Sequence, residues 1–274
     1  MKEPTTERSS HGPSDAAGWT EVDVAVYETF VVPRYTARFG ELLVEMVAPS
    51  VDARIAHLGC RTGYPDPQVL ARLPDAHLYG WDRSVPAVEL ARVKQQALGV
   101  PMEYATTEDG SNPFPEGAFS HVFSIHPTVP RKPLLHEFYR LLAPAGQALI
   151  ALPLRGSFLE IADLLREYAL RHDVHELPPA LDRLALERPT PEILAAELEA
   201  AGFGFVDVEV RPQKLVFRSA RDLFEDPISR LFVLPEFAHF GEVALRYVRE
   251  AIDKYFSESD FELSLFVACA SGRR

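Results

Sequence analysis

The chain has 274 residues, with 28 lysines and arginines against 40 aspartates and glutamates, and a net charge of −12. A hydrophobic content of 47% excludes wholesale disorder, and the acidic balance argues against a general affinity for nucleic acid or anionic lipid. The two cysteines, Cys60 and Cys269, are too few for a disulfide framework, and no apolar run approaches the roughly 18 residues of a membrane span. Because the first 18 residues lack the apolar core of a signal peptide, we expect a cytoplasmic protein.

Strands and helices alternate through the first half of the chain. Residues 1–18, rich in Pro, Ser, Thr and charge, predict a disordered tail. Apolar residues at helical spacing over 21–47, interrupted by Pro33, predict two helices or one kinked helix. Short apolar runs then alternate with helical patterns, and one Ala/Leu-rich helix ends at Gly99. The predicted strands are 53–59, 76–82, 101–106, 119–125 and 147–154, and the helices between them are 67–73, 85–98 and 133–142.

Beyond residue 155 the pattern becomes mostly helical. Helices are predicted over 157–171 and 190–201, and strands over 203–210 and 261–270. Five strands with helical crossovers indicate an α/β protein with a doubly wound parallel sheet, and the late strand pair makes that sheet seven-stranded with its last strand antiparallel. We expect one domain over 19–274, in which 155–200 and 212–258 form mostly helical lid segments.

The topology alone indicates where a ligand would bind. In a doubly wound sheet the crevice lies at the carboxyl ends of the strands, which points to 59–63, Asp82, 106–109 and 124–130. Gly59 directly follows the first strand, where glycine permits a sharp turn and close approach to a ligand, although such a turn also occurs without one. Asp82 lies 23 positions later, at the end of the second strand, where a carboxylate can accept hydrogen bonds from both hydroxyls of a ribose. Together the two residues favour a nucleoside cofactor.

Five motifs now carry a family resemblance over about residues 24–270. The chain resembles a class I S-adenosylmethionine-dependent methyltransferase with a Rossmann-like sheet, of the small-molecule type (methyltransferase type 11) related to quinone-biosynthesis C-methyltransferases. Each motif is weak alone, but their order and spacing are typical of the family. The motifs are YETFVVP (27–33), HLGCRTG (57–63) against the family's D-L-G-C-G-T-G, YGWDRSVPAVELAR (79–92), NPFPEGAFSHVFS (112–124) and LLHEFYRLLAPAG (134–146).

The resemblance implies S-adenosylmethionine as cofactor and a role for each matching residue. Gly59 and Gly63 would line its methionine part, Asp82 would hold its ribose, and Glu108 or Asp109 would contact the adenine amino group. The helix that begins near Arg83 and Ser84 would flank the adenine. The full set of implied cofactor-binding residues is His57, Gly59, Cys60, Arg61, Gly63, Asp82, Arg83, Glu108, Asp109 and Ser124.

The departures from the family pattern concentrate at the cofactor loop, which makes motif I degenerate. His57 replaces the acidic residue that helps to hold the cofactor's ammonium group, and an imidazole offers at most one acceptor. Arg61 replaces the middle glycine, where it could occlude the pocket, repel the sulfonium, or pair with the cofactor's carboxylate. Asp66 could supply part of the missing negative charge. Ser120 stands where the family has Asp, and Ala145 where it has glycine.

Other candidate residues carry weaker signals. His126, just past the fourth strand, is a candidate base or substrate-facing residue, although a loop histidine without a role is the more frequent case. Cys60 would be reactive only with a lowered pKa, so packing is the preferred interpretation. The histidines in 172–176 match no standard metalloprotease spacing, so we predict no metal site. Aromatic residues of the late helical segment would form core, lid or an apolar substrate pocket: Phe217, Phe224, Phe232, Phe237, Phe240, Tyr247 and Tyr255.

Two functions stay open on these grounds. The first is methyl transfer from S-adenosylmethionine to a small, hydrophobic or aromatic acceptor, a reaction that mainly needs alignment of a nucleophile. The second is a catalytically inactive pseudo-methyltransferase, with cofactor binding weakened or lost through His57 and Arg61, that serves as an interaction or regulatory module for a protein partner. A nicotinamide-dependent oxidoreductase is disfavoured because Arg61 and Tyr64 interrupt its glycine motif. We expect no nucleic-acid or membrane partner, and the residues do not indicate an oligomeric state.

Overall fold

The computed structural model describes residues 18–73, 75–107 and 109–274. All but the last residue of the predicted tail over 1–18, and the predicted adenine contact Glu108, therefore lie outside the described residues. Within the described part, one seven-stranded sheet has the order β3-β2-β1-β4-β5-β7-β6. The strands are β1 (Arg54–Leu58), β2 (His77–Trp81), β3 (Met102–Ala105), β4 (Phe119–Ile125), β5 (Leu142–Pro153), β6 (Gly204–Phe217) and β7 (Phe261–Arg273).

The pairing confirms the predicted fold class. Strands β1 to β5 pair in parallel, and β7 lies antiparallel between β5 and β6. Side chains alternate between the two faces of the sheet: Ile55 packs in one hydrophobic cluster and its neighbour Ala56 in the other. Both faces of the central strands are thus covered, which is why their sequences are almost continuously apolar.

The helices cover the sheet and end close to their predicted positions. Val85–Leu98 begins at Ser84, whose side chain accepts from the Ala87 N–H, and ends at a left-handed Gly99, as predicted. The helices are α1 (Glu21–Val26), α2 (Ala37–Met46), α3 (Asp66–Arg72), α4 (Val85–Leu98), α5 (Arg131–Leu141), α6 (Leu159–His172), α7 (Leu177–Glu187), α8 (Pro191–Ala200), α9 (Ala220–Glu225), α10 (Leu234–Phe237) and α11 (Glu242–Tyr255), with π-helical turns at Tyr27–Thr36 and Ser229–Val233 and a 3₁₀ turn at Ala238–Phe240.

The N-terminal helical run is continuous through Pro33. Helix α1 leads into the π-helical segment Tyr27–Thr36, which contains Pro33, and this segment leads into α2. Proline lacks a backbone N–H and its ring crowds the preceding turn, and the wider π-helical turn accommodates both. The expected interruption is therefore a local widening of one helical run.

The second half of the chain departs more from the sequence pattern. Strand β6 continues to Phe217, seven residues beyond the predicted 203–210, so the segment 212–258 begins as a strand and becomes helical only at α9. The extension pairs with the start of β7, with Phe217 opposite Phe261. Pro212 and the charges around it hide this strand from sequence reasoning, because only pairing with β7 favours an extended backbone there. No helix in the described ranges is long and apolar enough to cross a membrane.

Candidate functional site

A cavity of about 580 Å³ opens at the carboxyl ends of β1, β2 and β4, where the topology predicted it. We call it the strand-edge cavity. It brings together five of the predicted cofactor residues and the candidate base His126. Its lining includes Gly59, Arg61, Asp82, Arg83 and Ser124, with His126 beside them and Ser111, Asn112, Glu137 and Arg140 on the outer side.

The turn after β1 depends on glycine for its backbone conformation. Gly59 has φ +70°, and its N–H donates to the Trp81 carbonyl of β2 at 2.8 Å. A Cβ on Gly59 would lie 3.8 Å from Ser124 Oγ, an ordinary van der Waals contact, so it is the positive φ and not a lack of space that requires glycine here. Gly63, with φ +79°, does not line the cavity: a Cβ there would lie 2.5 Å from the Tyr104 hydroxyl. The two glycines thus have different tasks, one beside the cavity and one against the core.

Asp82 is held in place by the backbone. Its Oδ2 accepts from the Arg61 N–H and its Oδ1 accepts from the Ser84 N–H, each at 2.8 Å. The side chain is buried yet borders the cavity. Each carboxylate oxygen has a further lone pair, so Asp82 can accept hydrogen bonds from a ligand without losing the bonds that orient it.

Arg61 lies across the ends of β1 and β4. Its Nη1 donates to the Ile125 carbonyl at 3.2 Å and its Nη2 to the His126 carbonyl at 2.8 Å. Its guanidinium carbon lies 5.7 Å from the ring centre of Tyr27 and 5.6 Å from that of Phe232. The side chain is only 5% exposed and still borders the cavity. Arg61 therefore neither turns out to solvent nor fills the cavity, but forms part of its wall.

His57 points into the core, away from the strand-edge cavity, and Asp66 lies beside it. Its Nδ1 is 2.7 Å from Asp66 Oδ1, and its ring stacks on Phe123 with centres 4.2 Å apart. The Tyr104 hydroxyl donates to the other Asp66 oxygen at 2.8 Å. His57 and Asp66 are 1% and 0% exposed, respectively. Asp66, which was expected to supply part of the missing negative charge, is thus engaged by His57 and Tyr104 and does not border the cavity.

Cys60 is a packing residue in this arrangement. It does not border the cavity, and burial, reinforced by the charges of Asp82 and Asp66, raises the pKa of its thiol well above the ordinary value. A thiol with a raised pKa forms little thiolate, which is the nucleophilic species. This agrees with the packing interpretation of Cys60.

The outer side of the cavity is formed by the loop after β3 and by α5. The exposed Arg83 donates from Nε to the Gly110 carbonyl at 3.2 Å. Asp109 does not border the cavity: its Oδ1 accepts from the Ser111 N–H at 3.0 Å, and this bond lowers the pKa of its carboxyl. Sequence reasoning missed Asn112 and Glu137, which both border the cavity. Asn112 donates from Nδ2 to Glu137 Oε1 at 2.7 Å. The Arg140 guanidinium holds the pKa of Glu137 below its usual range.

His126 lies between the strand-edge cavity and a smaller one of about 230 Å³, which we call the lid cavity. Burial, followed by the charges of Arg61 and Arg188, lowers the pKa of His126 to about 3, so its imidazole is neutral near pH 7. Its Nε2 is buried and has no hydrogen-bond partner among the described residues. Phe232, from the predicted aromatic set, packs edge-on to it with ring centres 4.6 Å apart.

Arg188 and Glu236 also border the lid cavity and form an ion pair with each other. Arg188 additionally donates to the Ser157 carbonyl at 2.9 Å, and burial raises the pKa of Glu236. Sequence reasoning missed both residues. They lie 48 positions apart, and no local pattern marks them, because they come together only in the folded chain.

The comparisons with known proteins agree with this geometry. Residues 55–146 match a family model described as a methyltransferase domain. The demethylmenaquinone methyltransferase of Thermus thermophilus is 27% identical over 182 residues, which is 61% of this chain and 81% of that protein.

Two solved structures share the fold. Phosphoethanolamine N-methyltransferase 2 of Haemonchus contortus, in complex with phosphomonomethylethanolamine and S-adenosylhomocysteine, superposes with a TM-score of 0.58 at 16% identity over 97% of this chain. This chain spans only 60% of that enzyme's length. The YcgJ protein of Bacillus subtilis gives a TM-score of 0.55 at 14% identity over 87% of this chain and 98% of its own. At such identities the likeness concerns the fold.

Proposed function

We propose that the chain is a class I S-adenosylmethionine-dependent methyltransferase that binds S-adenosylmethionine in the strand-edge cavity and methylates a small-molecule acceptor. The observation that carries the proposal is Asp82: a buried carboxylate at the end of β2, oriented by two backbone N–H groups and bordering the cavity. A carboxylate in that position suits the two hydroxyls of a ribose.

The described residues fit the nucleoside half of this cofactor. Gly59 places its backbone at the cavity wall, and a cavity of about 580 Å³ is within the usual range for a small-molecule site. Asp82 would hold the ribose, while Ser111 and Asn112 border the region where the base would lie. When bound, S-adenosylmethionine supplies an activated methyl group on its sulfonium, and the protein's task is to align the acceptor and exclude water.

The lid cavity supports a small acceptor. It shares His126, Pro127, Val129 and Pro130 with the strand-edge cavity, so an acceptor in one would adjoin a cofactor in the other. Two relatives bear the names of small substrates, demethylmenaquinone and phosphoethanolamine. With a pKa of about 3, His126 is a weak base near neutral pH, and we propose that its unpartnered Nε2 hydrogen-bonds the acceptor without removing a proton.

Calorimetric titration with S-adenosylmethionine and S-adenosylhomocysteine tests the proposal. We expect saturable binding of both, weakened at least tenfold by Asp82→Asn, because the amide removes the charge and one acceptor. The matched control is Asp52→Asn, an exposed carboxylate just before β1, at the opposite edge of the sheet, which should leave binding unchanged. Circular dichroism of each variant verifies folding. Absence of binding at millimolar ligand by the folded wild-type chain would contradict the proposal.

A second candidate is the pseudo-methyltransferase, in which the fold has been kept and the cofactor lost. The observation in its favour is that Arg61 already occupies the carbonyls of Ile125 and His126, acceptors that border the cavity and that a ligand ammonium group would otherwise use. His57, in turn, is engaged by Asp66 and not directed to the cavity. The same titration separates the two candidates, since only the first predicts binding.

A further inference from the structure

Arg61 is a buried cation without an acidic partner. Its guanidinium donates to two backbone carbonyls, and none of the ion pairs between described residues includes it. The faces of Tyr27 and Phe232 orient the cation but do not neutralise it. A buried charge is costly unless it is paired, so Arg61 at the cavity wall favours a negative group inside the cavity.

The other charges around the cavity do not satisfy Arg61. Glu137 is paired with Arg140 on the outer side. Both Asp82 oxygens accept from backbone N–H groups, one of them that of Arg61 itself. Among the described residues, no acidic side chain thus pairs with this cation, and an anionic group of the ligand would supply the partner.

The backbone at Arg61 adds an independent observation. Arg61 has φ +47°, in the left-handed region that a glycine would adopt without strain. Strained residues of this kind persist only where the surrounding structure holds them in place, and they are concentrated at functional sites. Here the side chain in question is the unpaired cation.

We propose that Arg61 is the receptor for an anionic group of the ligand, a carboxylate or a phosphate carried by a nucleoside whose ribose hydroxyls bind Asp82. This proposal rests on the proposed function in that it uses the same cavity. The backbone N–H of Arg61 donates to Asp82 Oδ2, so the carboxylate that would bind the ribose hydroxyls is held directly by the residue that would bind the anion. A guanidinium can hold either anion through two parallel hydrogen bonds.

Calorimetry on the full chain with three ligands tests the role of Arg61. The ligands are S-adenosylhomocysteine, its decarboxylated analogue, which keeps the ammonium group, and adenosine monophosphate. We expect the wild-type chain to bind S-adenosylhomocysteine at least tenfold more tightly than the decarboxylated analogue. In Arg61→Gly this preference should fall below threefold. Glycine suits the positive φ, and Arg61→Asn provides a second neutral variant that tolerates it.

Arg166→Gln on α6, a half-buried arginine that does not border the cavity, is the matched control and should retain the full preference. Equal binding of S-adenosylhomocysteine and its decarboxylated analogue by the wild-type chain, without Arg61-dependent binding of adenosine monophosphate, would overturn the proposal, as would no binding of any of the three. Arg61-dependent binding of adenosine monophosphate alone would support the receptor and contradict the methyltransferase. Binding of S-adenosylhomocysteine that does not change in the Arg61 variants would support the methyltransferase and contradict the role of Arg61 as anion receptor.

Discussion

Replacing His57 by aspartate, the type of residue that the methyltransferase resemblance implies at the end of β1, should destabilise this protein. Asp66 Oδ1 lies 2.7 Å from His57 Nδ1, and the two residues are 1% and 0% exposed. His57→Asp would remove the hydrogen bond and place two carboxylates in one buried site. Leaving a buried charge uncompensated costs about 3–5 kcal/mol, and we expect a loss of that size in the free energy of unfolding at pH 8.

The loss should depend on pH with a definite sign. A proton shared by the two carboxyls relieves their repulsion, so the folded variant would bind more protons than its unfolded chain. The free energy of unfolding then falls as pH rises, and the variant should be closer to wild type at pH 5 than at pH 8. Urea unfolding followed by circular dichroism, with wild type and variant at both values, measures the difference.

The double variant His57→Asp/Asp66→Asn is the matched control. Its amide can donate to the new carboxylate and accept from the Tyr104 hydroxyl, which now donates to Asp66. We expect it to recover most of the loss and to abolish the extra pH dependence. If His57→Asp were as stable as wild type at pH 8 and gained nothing on acidification, the stabilising role of the buried His57–Asp66 pair would be refuted.

Three further predictions concern the framework of the site. Ala145→Gly should raise the free energy of unfolding by about 0.5–1 kcal/mol in thermal or urea melts, because Ala145 is exposed and has φ +64°; a loss would contradict the strain argument. Tyr104→Phe should lower it by about 1–3 kcal/mol, because buried Asp66 loses a donor; an unchanged melt would contradict that hydrogen bond. Cys60 and Cys269 should resist a thiol reagent in the native protein and react in urea, because burial raises the pKa of both thiols; rapid native labelling would contradict this.

Much of the fold could be predicted from local patterns. Apolar runs located the first five strands to within a few residues at most ends, and the stop at Gly99 ended α4 where expected. The extension of β6 to Phe217 could not be predicted, because a polar strand containing Pro212 is extended only through its pairing with β7. The sequence pattern also did not predict α7 as a separate helix within the mostly helical segment 155–200.

The sequence by itself determined the sheet, its crevice, and the positions of Gly59 and Asp82, because each depends on neighbours along the chain and on the rule for parallel strands. Only the tertiary structure decided the roles left open at the cofactor loop. His57 meets Asp66 nine positions away, and Arg61 meets the carbonyl of His126 65 positions away. Packing and the need to satisfy buried charge decide these partners, and neither produces a periodic pattern in the sequence.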